Sequence, residues 1–292
     1  MDGLAGGVQP CAAHLFQRMG VIGSAGHSRI DMTVVGKVES LWRYPIKSMA
    51  GEALPAAFIG YAGVYGDRVY AVLNSSGSPG FPYFTGRDRR EMLLYRPRFR
   101  NPAVAAIPPN QSEAFKLAEL SPVYPHLAEL DVDVATPSGQ LLAADDPALL
   151  TMLAGESPSS GLSLIRSHRA MTDARPVSLI SMQTVRRLGE EVDLSLDQRR
   201  FRANIYVELG TADGFGEDAF VGRTLRIGSR AVVAVVERDP RCKMIAIDPD
   251  TAEETPKIMR NVARAHGGHA GVYCAVMTEG VVQPGDAIAL LD

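Results

Sequence analysis

Short strand-like segments, rather than helices, dominate the sequence and limit what the chain can fold into. Runs in which β-branched and apolar residues alternate with polar ones are typical of strands. Turns rich in Gly, Pro and Ser, such as 75–80 and 137–140, separate them. Strands are predicted over 34–42, 69–73, 92–95, 131–136, 202–209, 225–236 and 287–291. Many short strands with few helices predict a mainly β fold, rich in β-barrel, with an α/β portion.

Two helix starts stand out among these strands. Asp146 precedes Pro147, and a proline in the first turn is typical of a helix N-terminus. Ser181 is suited to the N-cap of a second helix, in which Val185 and Leu188 fall on one apolar face. The sequence therefore predicts helices beginning near both positions.

Composition excludes several classes of protein. The 292 residues carry a net charge of −3, without the basic excess of most nucleic-acid-binding proteins. No run of eighteen apolar residues occurs, so no membrane span is predicted. Three cysteines form no disulfide framework, which favours a reducing, cytoplasmic location. Residues 1–31 are Gly- and Ala-rich without a signal-peptide core, so we expect a disordered extension containing an unstructured Cys11.

Cys242 is the cysteine with the most suggestive surroundings. Arg238, Arg241 and Lys243 lie within four residues of it, and neighbouring cations favour a thiolate by lowering the thiol pKa. A thiolate is a nucleophile and a soft metal ligand, whereas a free cysteine without such neighbours usually behaves as a small apolar residue. Cys274 has no comparable cationic neighbours in the sequence.

Several basic residues recur beside Gly, Pro, Ser or Asn where loops meet strands. Lys47-Ser48, Arg68, Arg87 and the segment 202–204 share this setting. Each alone is typical of a solvated surface charge, but together they predict a cradle for an anion such as phosphate. The sequence has no P-loop, no dinucleotide-binding glycine motif and no clustered zinc ligands.

These residues belong to a series of motifs that resembles the MOSC family, named for the molybdenum cofactor sulfurase C-terminal domain. The resemblance covers about residues 34–292 and is strongest to a subgroup with an additional N-terminal β-barrel region, which includes the mitochondrial amidoxime-reducing components. Ala203 stands where the family usually has proline, a change that slightly loosens this loop. The motifs lie at 44–48 with 66–68, 84–87, 176–181, 200–205, 240–242, 248–251, and 271–273 with 284–286.

The resemblance implies a site for the molybdenum cofactor, Mo-molybdopterin, in chemistry independent of pyridoxal phosphate. Cys242 would be both the metal ligand and the catalytic residue, because a soft thiolate suits a sulfur-rich metal centre. Independently of the resemblance, we expect Asp239 or a residue of the loop 266–271 to relay protons. The residues expected to bind the cofactor are Lys47, Ser48, Arg68, Ser178, Arg202, Asn204, Arg241 and Cys242.

The resemblance also implies a domain arrangement. Residues 34–68 and 166–292 would form a MOSC-type β-barrel, and residues 69–165 would form a smaller inserted α/β lobe. The cofactor would lie in the cleft between them, where residues distant in sequence meet.

Three functions remain open from the sequence. The first is a molybdenum-dependent oxidoreductase that reduces N-hydroxylated or N-oxide small molecules. Its electrons would come from a separate ferredoxin or flavoprotein reductase, since the chain lacks the cysteines for an iron–sulfur cluster. The second is a sulfur-transfer protein with a persulfide on Cys242, and the third is a cofactor carrier without catalysis.

Overall fold

The computed structural model consists mostly of short strands and describes residues 32–117, 122, 127–155, 161–210 and 213–291. The predicted extension 1–31, with Cys11, lies outside the described residues. The strands are β1 (Met32–Arg43), β2 (Glu52–Leu54), β3 (Ala57–Gly60), β4 (Gly63–Val64), β5 (Tyr70–Ser78), β6 (Phe81–Phe84), β7 (Arg96–Phe99), β8 (Val132–Ala135), β9 (Leu141–Ala143), β10 (Leu162–Arg166), β11 (Val177–Ser181), β12 (Ile205–Leu209), β13 (Thr224–Ile227), β14 (Ala231–Pro240), β15 (His269–Thr278), β16 (Gly280–Val282) and β17 (Ala287–Leu291). The helices are α1 (Gln111–Ala114), α2 (Pro147–Ala154), α3 (Met182–Glu191) and α4 (Pro256–Ala265), with 3-10 turns at Arg90–Leu94, Leu127–Leu130, Gln198–Phe201, Gly216–Phe220 and Lys243–Ala246.

Seven strands close into a barrel in the order β12, β11, β15, β14, β13, β17 and β1. β1 pairs back with β12, where Leu41 lies opposite Ile205. Neighbouring strands are antiparallel except β11 and β12, which are parallel. Apolar side chains such as Leu225, Val233 and Val272 are buried in one core cluster. The predicted mainly β fold with a barrel is confirmed.

A second group of elements surrounds a separate apolar cluster. The sheets β10–β5–β6 and β7–β8–β9 pack with α2, and Ile46, Met92 and Leu149 are buried among them. A third small sheet joins β16, β3 and β4. The sheets β10–β5–β6 and β7–β8–β9 with α2 form the α/β portion of the fold, whereas buried residues of the small sheet, such as Ile59, belong to the barrel core. The domain boundaries given above stay a prediction.

Both predicted helix starts are confirmed. The Asp146 side chain accepts a hydrogen bond from the backbone N–H of Ala148, and the Ser181 hydroxyl accepts one from the N–H of Thr184. Each bond satisfies an N–H that has no partner inside its helix. Within the described residues, no helix has the length and apolar character needed to cross a membrane.

Two strand predictions were wrong. Residues 92–94 end the 3-10 turn Arg90–Leu94, in which Met92 and Leu93 are buried, and Tyr95 follows the turn. An apolar run of four residues cannot be distinguished from a helical segment by its pattern. Residues 225–236 form two strands rather than one. The chain reverses after β13 at Gly228, whose φ of 65° suits a residue without a side chain.

The strand predicted over 202–209 begins later than expected, at Ile205. Arg202 adopts a left-handed backbone conformation with a φ of 52°, and this interrupts the extended chain. The residues that the sequence placed in a strand are therefore a loop that faces the candidate site.

Candidate functional site

All eight residues predicted to bind the cofactor line one cavity. Its empty volume is about 740 Å³, including the part open to solvent. The lining residues come from the loop after β1, the turn before β5, strand β11, the loop before β12 and the turn after β14. The fold thus brings together Lys47, Ser48, Arg68, Ser178, Arg202, Asn204, Arg241 and Cys242.

Three of these residues adopt a backbone conformation that side chains disfavour. The φ angles of Ser48, Arg68 and Arg202 are 66°, 47° and 52°. Each such residue costs about 1–2 kcal/mol, so its surroundings must hold it in place. The N–H of Arg68 donates to the Tyr44 carbonyl at 2.7 Å, and that of Arg202 donates to the Arg199 carbonyl at 3.2 Å. Strain of this kind clusters at functional sites.

Two arginines share a buried tyrosine. The guanidinium carbons of Arg68 and Arg202 lie 4.8 Å and 4.3 Å from the centre of the Tyr44 ring. Arg68 contacts the carboxylate of Asp67 and donates to the carbonyl of Arg202 at 3.1 Å. Arg202 donates to the carbonyl of Met49 at 2.7 Å, but its Nη2 atom is buried without a hydrogen-bond partner.

The charge of Arg202 is poorly compensated by the protein. Burial lowers the pKa of Arg202 to about 10, and the nearby Arg68 cation acts in the same direction while Tyr44 opposes it. A buried cation with an unused donor is stabilised by an anion that accepts its hydrogen bond. This part of the cavity therefore fits a phosphate or another anionic group.

Lys47 is buried beside an acid that the sequence analysis did not identify. Its ammonium group contacts the carboxylate of Asp173 and donates to the Met171 carbonyl at 2.9 Å. Burial lowers the pKa of Lys47, and Asp173 opposes this shift. Asp173 lies 126 residues from Lys47 in the chain, so no local pattern could have paired them.

Asn204 and Ser178 hold the barrel strands together at the site. The Asn204 side-chain oxygen accepts from both the N–H and the hydroxyl of Ser178, each at 3.3 Å. The Asn204 amide donates to the Trp42 carbonyl at 3.3 Å. These bonds join β11, β1 and the start of β12, so Asn204 positions the cavity wall.

Cys242 is half-buried at the N-terminus of the 3-10 turn Lys243–Ala246. Of its three cationic sequence neighbours, only Arg241 lines the cavity. Arg238 instead lies 3.6 Å from the carboxylate of Asp218, and Lys243 is exposed. Two of the three cations that the sequence placed beside Cys242 therefore do not line the cavity.

The other described cysteine is a core residue. Cys274 is 0% exposed, in the same apolar cluster as the barrel interior, and burial raises the pKa of its thiol to about 12. It pairs with Val177 across β11 and β15. Its place in the core leaves Cys242 as the accessible thiol of the described chain.

Asp239 is a buried acid in the same cavity. It is 2% exposed, and burial raises its pKa to about 6 even though the Arg241 guanidinium favours the charged form. Burial also raises the pKa of Tyr273, which lies nearby in the cavity wall. A carboxyl group with a pKa near 6 can hold or release a proton close to neutral pH.

Arg200 anchors the turn that carries Cys242. It donates to the Asp248 carboxylate at 2.7 Å and to the Ala246 carbonyl, the last residue of that turn, at 3.1 Å. Asp248 also accepts from the N–H groups of Asp250 and Thr251, each at 3.0 Å. The motif 248–251 therefore stabilises the 3-10 turn Lys243–Ala246, which directly follows Cys242.

Several lining residues were missed by the sequence analysis. Arg87 had been recognised as one of the recurring basic residues but not assigned to the site. Thr85, Arg200 and Tyr273 lie within the motifs given above but were not assigned to the site, and Asp173 lies outside every motif.

Comparison with known proteins identifies two family models in the chain. The model described as "MOSC domain" matches residues 166–289, and "MOSC N-terminal beta barrel domain" matches residues 35–152. A curated relative from Drosophila grimshawi, "Molybdenum cofactor sulfurase", is 27% identical over 279 residues. That match covers 85% of this chain but 34% of the relative, so the chain spans about a third of the relative's length.

Two solved structures are among the proteins to which the chain is similar. The YuaD protein from Bacillus subtilis is 14% identical, with a TM-score of 0.46, over 89% of this chain and 98% of that one. YiiM from Geobacillus stearothermophilus is 19% identical, with a TM-score of 0.33, over 40% of this chain and 55% of that one. Both scores are below 0.5.

Proposed function

Because the chain belongs to the MOSC domain family, we propose that it binds the molybdenum cofactor in this cavity and reduces N–O bonds of small molecules. The observation that carries the proposal is the joint presence of Cys242 and the uncompensated guanidinium of Arg202 in one cavity. The first supplies a soft ligand for a metal, and the second supplies a donor for a phosphate.

The residues of the cavity fit this group. The phosphate would be held by Arg202, Arg68, Lys47 and Ser48, because their cationic and hydroxyl groups line the same cavity. Arg241 would lie near the pterin. Its Nη2 atom is 2.9 Å from the carboxylate of Asp239, but it is buried and forms no hydrogen bond of good geometry, so it could donate to the pterin. Cys242 would hold the metal through its thiolate.

The proposed reaction has a simple balance. An N-hydroxylated substrate takes up two electrons and two protons, its N–O bond breaks, and the oxygen leaves as water. The bound cofactor would supply the electron-transfer chemistry that no side chain provides. Asp239 would hold one of the protons on its carboxyl group, and Arg241 would keep that carboxyl oriented at the cavity wall.

The electrons would come from a separate protein. The sequence has three cysteines, one fewer than a typical iron–sulfur cluster requires, and Cys274 is enclosed in the barrel core. We propose a ferredoxin or a flavoprotein reductase as the donor.

Metal analysis and turnover test the proposal together. Protein produced in a molybdate-supplied host is expected to contain stoichiometric molybdenum and pterin, and to reduce benzamidoxime with a dithionite-reduced viologen. Cys242→Ser is expected to lose turnover. Cys274→Ala, which removes the core thiol, is expected to keep the wild-type turnover per molecule of folded protein. Full activity in metal-free protein would overturn the proposal.

Sulfur transfer is the second candidate, favoured by the name of the Drosophila relative and by the accessible thiol of Cys242. The thiolate would take the terminal sulfur of a donor persulfide, and the donor would leave as its own thiolate. Intact mass measurement distinguishes the two functions. A reducible gain of one sulfur atom that maps to Cys242 supports transfer, and a pterin with metal supports the reductase.

A further inference from the structure

The cations of the cavity differ in whether the protein neutralises them. Seven Lys and Arg side chains line it. Lys47, Arg68, Arg175, Arg200 and Arg241 each contact a carboxylate. In the described part of the chain, Arg87 and Arg202 form no such ion pair.

These two unpaired arginines occupy different environments. The Nη2 atom of Arg202 is buried among the residues proposed to hold the cofactor. Arg87 is half-buried and follows strand β6, close to the aromatic side chains Phe81 and Tyr83, whose ring centres are 5.2 Å apart. One unpaired cation therefore serves the proposed cofactor, and the other remains without an assigned ligand.

Arg87 is held in place before any ligand arrives. Its guanidinium carbon lies 4.2 Å from the centre of the Phe81 ring, within the range of a cation–π contact. Its backbone N–H and its Nε donate to the Thr85 hydroxyl at 3.2 Å and 3.4 Å. Asp88 closes this turn by accepting from the N–H and hydroxyl of Thr85. These contacts leave the two terminal nitrogens of Arg87 without a hydrogen bond in the described structure.

The turn that carries Arg87 packs against the turn that carries Cys242. A Cβ atom added to Gly86 would lie 2.8 Å from the sulfur of Met244, which is two residues from Cys242. Glycine at this position therefore permits a close approach of the two turns. Arg87 is consequently fixed relative to the residue proposed to hold the metal.

We propose that Arg87 forms a second anion subsite of the cavity, which binds a carboxylate or similar anionic group of the substrate. This inference rests on the proposed function and narrows its substrate class to small molecules that carry an anion besides the N–O group. The planar guanidinium suits bidentate binding of a carboxylate. Phe81 supports the guanidinium from one side and leaves its nitrogens for the ligand.

Asp173 is an acid of the same cavity and does not cancel this subsite. Its carboxylate contacts Lys47, and the Arg87 cation acts on it only as a further positive charge that lowers its pKa. Lys47 in turn lies 4.8 Å from the centre of the Tyr83 ring. The group formed by Lys47, Asp173 and Arg87 therefore carries one net positive charge for a ligand anion.

Equilibrium binding tests the subsite without depending on turnover. We would titrate benzamidoxime and 4-carboxybenzamidoxime into molybdenum-loaded protein by calorimetry, with Arg87→Gln, Arg87→Lys and Arg90→Gln as variants. Arg90 is three residues away, pairs with Glu91 at 3.2 Å and does not line the cavity, so it controls for loss of a surface charge. Wild type and Arg90→Gln are expected to bind the carboxylated probe about tenfold more tightly than the neutral one, as for one charge-assisted hydrogen bond. Arg87→Gln is expected to remove this preference, and Arg87→Lys to keep part of it.

Each other outcome has a defined meaning. Equal binding of the two probes by wild type, or an unchanged preference in Arg87→Gln, overturns the subsite. A loss of molybdenum and pterin from purified Arg87→Gln also overturns it, because Arg87 would then hold the cofactor. If the preference depends on Arg87 but neither probe is reduced, the subsite stands and the reductase proposal fails.

Discussion

The carboxylate of Asp239 lies 2.9 Å from the Nη2 atom of Arg241, and both side chains are more than nine-tenths buried. Removing a charged pair from water is expensive, and here the pair is also short of hydrogen bonds, because Nη2 has none of good geometry. The protein therefore retains a buried ion pair at the cavity wall that adds little to stability. Its presence there favours a role in the chemistry of the cavity.

The first prediction concerns pH. The pKa of Asp239 rises from about 3.8 in the unfolded chain to about 6 in the folded protein, chiefly through burial. The folded state thus binds the proton more tightly, and this stabilisation is complete below about pH 4 and lost as the pH rises through about 6. We therefore expect cofactor-free wild type to lose about 2–3 kcal/mol of unfolding free energy, relative to cofactor-free Asp239→Asn, as the pH rises through this range.

Urea unfolding of both proteins between about pH 4.5 and 7.5 measures this difference. Other groups titrate alike in the two proteins and cancel. The raised pKa of Asp239 is contradicted if the difference in unfolding free energy does not change with pH. It is also contradicted if wild type becomes more stable than Asp239→Asn as the pH rises.

The second prediction separates binding from stability at Arg202. Arg202→Gln removes a buried cation that no carboxylate neutralises, so the unfolding free energy of cofactor-free protein should change by no more than about 1 kcal/mol. The same variant should bind the cofactor at least about tenfold more weakly, seen as lost molybdenum and pterin.

Arg199→Gln is the matched control for Arg202→Gln. Arg199 contacts the carboxylates of Asp197 and Asp250 and does not line the main cavity, so its loss should leave the metal content unchanged. Equal metal content in the Arg202 and Arg199 variants would count against an anion on Arg202.

The third prediction tests whether the contact between Asp248 and Arg200 stabilises the turn Lys243–Ala246, which follows Cys242. Asp248→Asn weakens the contact to the buried Arg200 and should destabilise the protein by about 2–3 kcal/mol, because Arg200 is then left buried without a charged partner. A double-mutant cycle with Arg200→Gln should give a coupling energy of at least about 1 kcal/mol. Additive effects of the two substitutions would show that the contact does not hold the turn.

The fourth prediction compares the two described thiols. Cys242 is half-buried, whereas Cys274 is 0% exposed with a pKa raised to about 12 by burial. Native cofactor-free protein treated with iodoacetamide should be alkylated at Cys242, and at Cys274 only after unfolding. Peptide mass mapping identifies each position, and rapid native labelling of Cys274 would contradict its place in the core.

The sequence predicted those features that depend on local patterns. Ser181 and Asp146 were identifiable as caps because their oxygen atoms and the following residues follow a short-range rule. The left-handed conformation of Arg202 was not predictable, because it is imposed by contacts with Met49 and Tyr44, which are distant in sequence. For the same reason the partner of Lys47 was missed.

The motifs predicted which residues form the site better than they predicted the hydrogen bonds and ion pairs between those residues. They selected eight residues that the fold gathers into one cavity. They did not reveal that Asn204 uses its amide within the protein, or that Arg238 points to Asp218 rather than to the thiol. Such distinctions depend on distances that the order of residues does not contain.

The pairing of β1 with β17 joins the beginning of the described chain to its end, where Thr33 lies opposite Leu290. Contacts so far apart in sequence form late, since the loop between them must first be closed. During synthesis the ribosome releases β17 after every other strand described above, so β1 waits with one edge open until then. Lys47 and Ser48 follow β1 along the chain, so closing the barrel also fixes the strand that leads to this side of the cavity.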